Sequence, residues 1–241
     1  ERCLLSCLNH SILKLTKGNN MRYLLIVLML MGCGGEEFKA KTEYVEPVAK
    51  DKTTYKRIAF IGNSITYHYK STSLGWDCAC GMAASAPDKD FDYIVTDHFK
   101  ADQYVVSIAS WERSFSSNEF TKLLDLHLFQ PDLVIVNLGE NMNTSTNKET
   151  MIFELENLYF EIIANTSAKV IYVDSFYNNA NTNDSFNEFA VRNSVPLVKV
   201  GDLYVGKYKR TEHPHAGVAS HPNDLGHEEI ALRIIKTTEN N

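Results

Sequence analysis

The sequence carries no excess of positive charge and no apolar run long enough to cross a membrane. Its 241 residues include 24 Lys and Arg against 30 Asp and Glu, a formal net charge of -6. Nucleic-acid-binding proteins neutralise phosphates with a basic face, so the absence of a Lys/Arg cluster argues against a nucleic-acid partner. The apolar run at 23–31 is far shorter than the roughly 20 residues of a membrane-spanning helix.

Cysteine is scarce as well, and its placement argues against the common metal and redox motifs. Cys3, Cys7 and Cys33 lie near the N-terminus, and Cys78 and Cys80 lie in the body of the chain. There is no Cys-x-x-Cys pair and no histidine at zinc-finger spacing, so we expect no metal site. A disulfide between Cys78 and Cys80 would close a very small ring, and we expect two part-buried thiols instead.

The N-terminal region has the layout of an export signal. Arg22 precedes the apolar run, which ends in small residues at Gly32, an order typical of signal peptides. Residues 30–33, Leu-Met-Gly-Cys, resemble the bacterial lipobox, in which the cysteine is acylated. We therefore expect Cys33 to be lipidated and to anchor an exported protein to a membrane, in the periplasm or at the cell surface. The alternative is an ordinary cleaved signal with a chance cysteine.

These features divide the chain into four segments. We interpret residues 1–20, which precede Met21, as an over-called upstream segment that takes no part in the fold. Residues 21–33 are predicted to be the lipoprotein-type signal peptide, 34–56 a polar tether, and 57–241 one folded domain.

The body alternates short apolar runs with amphipathic stretches. Near-continuous apolar runs of four to seven residues suit buried parallel strands, and a 3.6-residue apolar period indicates helices. The predicted strands are 57–61, 104–109, 132–138, 169–174 and 196–200, and the predicted helices 118–128, 149–164, 185–193 and 224–237. This order predicts a flavodoxin-like α/β fold, a three-layer α/β/α sandwich with a five-stranded parallel sheet.

Polar segments follow three of the predicted strands, at 62–64, 107–112 and 139–141, and we expect them to meet at one edge of the sheet, where ligands bind in such folds. Ser64 follows the first strand, and Asn141 follows the third in Gly139-Glu140-Asn141. His221 precedes the last helix and carries the side chain best suited to base catalysis near neutral pH. A hydroxyl nucleophile, an imidazole base and an amide donor are the groups that ester hydrolysis needs.

These segments resemble the sequence blocks of the SGNH (GDSL-like) lipases and acylhydrolases, in family order. The matching segments are Gly62-Asn63-Ser64, Gly139-Glu140-Asn141 and the run 221–227. The resemblance implies that Ser64 attacks the acyl carbon and that His221 takes its proton. It also implies that the Ser64 N–H and the Asn141 side chain hold the oxyanion, with no metal or organic cofactor.

Two departures from the family pattern stand out. The family usually has an aspartate three residues before the histidine, where this chain has Val218. Either a backbone carbonyl orients His221, or another acid does so. We favour a Ser–His dyad, with Glu112 as the best outside acid and Glu140 as a second candidate, while Asp224 is expected to cap the last helix.

The second departure concerns the oxyanion hole. The family supplies a glycine N–H after the second strand, whereas this chain has no glycine in 107–113, so the N–H of Ala109 or Ser110 would serve. Alternatively, Trp111 and Glu112 line the substrate pocket there, although Trp111 suits core packing equally well.

The resemblance favours an esterase that removes acyl groups, such as acetyl, from a carbohydrate or another small ester. Two alternatives stay open: a surface glycan-binding protein with little or no turnover, and an acyltransferase that uses the same serine ester. The missing acid at Val218 motivates the first alternative. The sequence gives no oligomeric state.

Overall fold

The computed structural model describes residues 54–240, which form a five-stranded parallel sheet in the order β2-β1-β3-β4-β5. The predicted architecture is thereby confirmed. The strand order reverses direction between β1 and β3, and ligands bind at such switch points in α/β sheets. The strands are β1 Arg57–Gly62, β2 Asp102–Ser107, β3 Leu133–Asn137, β4 Lys169–Val173 and β5 Leu197–Val198.

Helices cover both faces of the sheet. Within 54–240 they are α1 Phe91–Phe99, α2 Ala109–Ser114, α3 Leu126–Phe129, α4 Lys148–Asn165, α5 Ala180–Asn193, α6 Ala216–Ala219 and α7 Asp224–Asn240. One core lies between the sheet and α2, α4 and α5, and the other between the sheet and α1 and α7. Among the described residues, no helix is both long enough and apolar enough to cross a bilayer.

Strand β1 shows why the strands are apolar along their whole length. Ala59 and Ile61 enter the core under α4 and α5, whereas Ile58 and Phe60 enter the core under α1 and α7. Successive strand residues point to opposite faces, and all four side chains are fully buried. A strand that is buried on both sides has no polar face to show in its sequence.

The predicted helix at 118–128 is wrong in detail. A 3-10 helix, Ser117–Leu123, is followed by the short α3. Three residues make one turn of a 3-10 helix, so Phe120, Leu123 and Leu126 pack inward at intervals of three. Leu124 and Leu128, which a regular α-helix over 118–128 would place on the core face with Phe120, are 64% and 71% exposed.

The sequence interpretation contains no helix at 91–99, although Asp90 is of a residue type favoured at helix N-caps. Asp90 is the N-cap residue but makes no side-chain cap. Its carboxylate instead accepts the backbone N–H of Gly81.

The expectation of two free thiols is also wrong, because Cys78 and Cys80 form a disulfide. Their Cα atoms lie 5.4 Å apart, within the usual range for a disulfide of about 4.4–6.8 Å. One intervening residue in an open loop therefore leaves enough room for the bond.

Packing of the domain begins before Arg57, inside the segment predicted as a tether. Tyr55 is buried and packs edge-on against Phe99, with ring centroids 5.3 Å apart. Asp132 Oδ2 accepts the backbone N–H groups of Lys56 and Arg57 at 2.8 and 2.9 Å. The predicted signal peptide, the predicted lipidation of Cys33 and most of the predicted tether lie outside the described residues.

Helix α7 offers a direct test of this packing. Ile234 is fully buried, whereas Leu232 on the same helix is 51% exposed. We expect Ile234→Ala to lower the free energy of unfolding by about 2–5 kcal/mol, because it leaves a cavity. The control Leu232→Ala should change it by less than about 0.5 kcal/mol. Urea denaturation measures both, and losses of equal size would contradict the orientation of α7.

Candidate active site

Four strands end at one level of the sheet. Gly62 at the end of β1 pairs with Ser107 of β2 and with Asn137 of β3, which in turn pairs with Val173 of β4. The segments that follow these residues therefore leave the sheet along one edge. The expectation that the polar segments after β1, β2 and β3 meet at this edge is confirmed.

The turn after β1 is built by Asn63. Its carbonyl oxygen accepts the backbone N–H of Tyr67 at 2.9 Å, and its side-chain oxygen accepts the N–H of Ile65 at 3.0 Å. These two bonds close a tight turn around the half-buried Ser64.

Glycine is required on both sides of this site. A Cβ at Gly62 would lie 1.9 Å from Thr66 Oγ1 and 2.9 Å from the carbonyl oxygen of Asn137. Gly139, after β3, has φ +123°, and a Cβ there would lie 2.9 Å from Ser175 Cβ. Both glycines permit close approaches that any side chain would prevent.

Ser64 and His221, which are far apart in sequence, meet at the edge of the sheet. Ser64 Oγ lies 2.8 Å from His221 Nε2, a normal hydrogen-bond distance. The imidazole belongs to the loop that enters α7 and is 7% exposed. Asn223 caps α7 through the N–H of Gly226 at 3.0 Å.

The expected capping role of Asp224 is therefore wrong. Its carboxylate accepts the backbone N–H and the hydroxyl of Ser85 at 2.7 and 2.6 Å. Because Asn223 already accepts a backbone N–H of the first turn of α7, the Asp224 carboxylate is available to bind the loop that carries Ser85.

A backbone carbonyl orients the imidazole. His221 Nδ1 lies 2.6 Å from the oxygen of Gly217, and a carbonyl oxygen can only accept, so the proton resides on Nδ1. The lone pair of Nε2 consequently faces Ser64. Val218, at the family's aspartate position, is buried in an apolar cluster with Trp76 and Met82.

Tyr177 supports this arrangement and was missed by the sequence analysis. Its hydroxyl lies 3.3 Å from Ser220 Oγ and 3.2 Å from His221 Nδ1. Ser220 Oγ donates to the carbonyl oxygen of Gly217 at 2.9 Å, so it accepts from Tyr177. Tyr177 lies just beyond β4, at the edge of the sheet where the other site residues lie, and this position could have indicated its role.

Burial lowers the pKa of His221 to about 4, although the hydrogen bond to Gly217 opposes this shift. The nearby imidazoles of His227 and His68 lower the pKa further. His221 is therefore a neutral acceptor at neutral pH. Burial raises the pKa of the Tyr177 hydroxyl, which stays protonated.

Glu112, the candidate for an outside acid, does not orient His221, in keeping with the favoured Ser–His dyad. Its carboxylate is buried and accepts from Gly139 N at 2.5 Å, Asn141 Nδ2 at 2.6 Å and Asn63 Nδ2 at 3.0 Å. Glu112 and His221 come from opposite faces of the sheet. Helix α2 carries Glu112 on one face, and the loop before α7 carries His221 on the other.

Glu140 is likewise bound to groups other than His221. It accepts Asn63 Nδ2 at 2.5 Å and the backbone N–H of Phe176 at 2.7 Å. Burial and the charge of Glu112 raise the pKa of Glu140 to about 7. The Asn63 amide therefore joins the carboxyl groups of Glu112 and Glu140 beside the turn that carries Ser64.

The amide of Asn141 is held at both ends. Its Nδ2 donates to Glu112, and its Oδ1 accepts from Arg113 Nη2 at 2.8 Å. Arg113 is exposed and follows Glu112 on α2. Nothing in the sequence pattern singled out Arg113.

Two other predicted residues follow β2. Ala109 is the first residue of α2, a position whose backbone N–H has no partner within the helix. Trp111 is fully buried and packs against Phe115 and Phe120, with ring centroids 5.4 and 6.4 Å apart. Trp111 is thus a core residue, and the alternative that it lines a substrate pocket is wrong.

Within residues 54–240, no group of three or more His, Cys, Asp and Glu side chains is arranged to hold a metal ion. His213 and His215 lie close together in sequence but serve as turn residues. His213 Nε2 lies 3.3 Å from the carbonyl oxygen of Gly75, and His215 caps α6 through the N–H of Gly217 at 3.1 Å.

Compared by sequence, the chain matches no protein-family model and no curated protein. Solved structures do resemble it. A family two carbohydrate esterase from Clostridium thermocellum, in complex with cellohexaose, gives a TM-score of 0.54 at 18% identity, over 80% of this chain and 66% of that one. A protein of the G-D-S-L family from Desulfitobacterium hafniense gives 0.51 at 11% identity, over 76% and 99%.

A two-domain esterase active on acetylated mannans gives a TM-score of 0.51 at 22% identity, over 77% of this chain. The match covers 50% of that esterase, so the chain spans about half its length. These likenesses, together with the strand order, show that residues 54–240 have the fold of the SGNH (GDSL-type) hydrolases.

Proposed function

We propose that the chain is a serine ester hydrolase in which Ser64 is the nucleophile and His221 the base. The observation that carries the proposal is the 2.8 Å contact between Ser64 Oγ and His221 Nε2, with Nδ1 of the same ring bound to a carbonyl oxygen. A hydroxyl, a neutral imidazole and a group that orients the ring form the arrangement expected of an activated nucleophile.

In this mechanism Ser64 Oγ attacks the acyl carbon while its proton moves to His221 Nε2. The bond to Gly217 keeps the second proton on Nδ1, so the imidazolium remains oriented as it forms. It then gives the Nε2 proton to the leaving alcohol, which departs as the tetrahedral intermediate collapses. A water molecule repeats the sequence on the acyl-serine and releases the acid.

The oxyanion requires preorganised donors. The Ser64 N–H, the Asn141 side chain and the Ala109 N–H lie on segments that leave the same edge of the sheet, and we assign this role to them. Removing one such donor typically costs about 2.7–4 kcal/mol of transition-state stabilisation.

We further propose acylated carbohydrates, acetyl esters among them, as the substrate class. Two of the similar structures support it, since one is of an esterase active on acetylated mannans and another is of a carbohydrate esterase in complex with cellohexaose. If Ser64 is not acylated, the chain is a glycan-binding protein without turnover. If the acyl-serine passes its acyl group to an alcohol and not to water, the chain is an acyltransferase.

The protein is proposed to work outside the cytoplasm, held by a lipid on Cys33. The lipobox-like residues 30–33 support this location, and so does the Cys78–Cys80 disulfide, because disulfides persist in oxidising compartments.

The central test is Ser64→Ala with p-nitrophenyl acetate as substrate. Because the nucleophile is lost, we expect kcat to fall at least about 1,000-fold. Ser145→Ala is the matched control, since Ser145 is exposed in the loop after β3, and it should keep wild-type kcat. Equal rates for wild type and Ser64→Ala would end the proposal.

The pH dependence of kcat/KM tests the state of the base. The neutral form of His221 accepts the proton, so activity should disappear as pH falls through the pKa of about 4. An unperturbed histidine would instead lose activity below a pKa of about 6.5. Rates from pH 3.5 to 7, with circular dichroism at each pH to monitor folding, decide between them. Because Glu140 has a pKa of about 7, the profile is repeated with Glu140→Gln, and a rising limb near 6.5 in both proteins would contradict the burial of His221.

A further inference from the structure

Helix α2 places two consecutive charged side chains at opposite ends of one amide. Glu112 Oε2 accepts from Asn141 Nδ2 at 2.6 Å, and Arg113 Nη2 donates to Asn141 Oδ1 at 2.8 Å. A carboxylate only accepts and a guanidinium only donates. Reversing the amide would therefore place acceptor against acceptor and donor against donor, so these two side chains fix which end of Asn141 carries the N–H groups.

This orientation leaves one N–H uncommitted to Glu112. Asn141 Nδ2 carries two hydrogens, and one of them points to the carboxylate. The second hydrogen is bound to the same nitrogen, which Glu112 holds in place. Asn141 follows β3 at the edge of the sheet where Ser64 lies. An amide that is anchored through one N–H can present the second without reorganising, which is what stabilisation of an oxyanion requires.

Glu112 also holds the backbone that carries this amide. Its Oε1 accepts the N–H of Gly139 at 2.5 Å and lies 3.5 Å from the backbone nitrogen of Asn141. The same oxygen accepts Asn63 Nδ2 at 3.0 Å, and Asn63 forms the turn around Ser64. One carboxylate thus connects the turn of the nucleophile to the loop of the oxyanion donor.

The burial of Glu112 argues against a role in generic stability. The side chain is 1% exposed, and a buried charge is costly unless hydrogen bonds compensate it. All of the hydrogen bonds given for this carboxylate come from the turn that contains Ser64 and from the loop after β3. An apolar side chain could fill the same volume, but it could not align these donors.

We infer that Glu112 is a positioning residue, which holds the free N–H of Asn141 towards the oxyanion formed during attack by Ser64. This inference rests on the proposed function. Misplacing a catalytic group by about 1 Å can lower the rate about 100-fold, so the alignment has a measurable effect.

The test is a double-mutant cycle in the full chain, with p-nitrophenyl acetate as substrate. Asn141→Ala should lower kcat about 100–1,000-fold. Glu112→Gln keeps the shape but replaces an acceptor by a donor, and should lower kcat about 10–100-fold with little change in KM. Because both variants remove the hydrogen bond between Glu112 and Asn141, Glu112→Gln should cost much less when Asn141 is already alanine than in wild type, and the loss that remains measures the bond of Glu112 to Asn63. A full additional loss in the double variant would overturn the inference.

Arg113→Gln keeps the inference testable should the buried variant fail to fold. Arg113 is exposed, and this change releases only the Oδ1 end of the amide. We expect kcat to fall about threefold to tenfold, and this loss should vanish in the Asn141→Ala background. Arg192→Gln, an exposed arginine at the end of α5, is the matched control and should keep wild-type kcat. An Arg113→Gln rate equal to that of the control would count against the clamp on Asn141.

Nuclear magnetic resonance separates failure of this inference from failure of the proposed function. The Asn141 side-chain proton bound to Glu112 should resonate downfield in wild type and in Ser64→Ala, and should move upfield in Glu112→Gln. If the Ser64→Ala variant keeps its turnover, the proposed function is refuted. A positioning role of Glu112 in catalysis is then refuted too, even if the Asn141 proton resonates downfield. An Asn141 signal unchanged by Glu112→Gln would refute the clamp itself, whatever the activity.

Discussion

The hydrogen bond from His221 Nδ1 to the carbonyl oxygen of Gly217 is the constraint on which the rest of the site depends. It places the proton on Nδ1 and the lone pair on Nε2, 2.8 Å from Ser64 Oγ. The carbonyl can perform this task because Val218 anchors its turn in the apolar cluster around Trp76. The loop that carries the Cys78–Cys80 disulfide thereby becomes part of the support for the imidazole. A side-chain acid at position 218 would require that cluster to be rebuilt.

The two faces of the sheet contribute different parts of the site. Helix α2, on one face, brings Glu112 and Arg113 to the amide of Asn141. The loop before α7, on the other face, brings His221. Ser64 follows β1 at the switch point of the strand order. The residues from α2 and those from the loop before α7 meet there. This separation leaves the imidazole with a neutral partner, the carbonyl group of Gly217, so no carboxylate opposes the lowering of the His221 pKa by burial.

The sequence predicts those features that local patterns encode. Strand β1 was located to within a residue of its end, because burial on both faces makes it uniformly apolar, and α4 was found by its apolar period. Ser64, Asn141 and His221 were selected by short motifs beside predicted strand and helix ends. Contacts between residues that are separated in sequence were not predicted, such as the hydrogen bond that the Gly81 N–H donates to Asp90. Similarly, the partners of Glu112 could not be known before the layers of the fold were.

The most direct test of the account is covalent labelling with a fluorophosphonate, followed by mass spectrometry of the digested protein. The account predicts a single modified residue, Ser64, and labelling that is strongly reduced in His221→Gln because the base is lost. Labelling at another residue, or none in the folded wild-type protein, would contradict it.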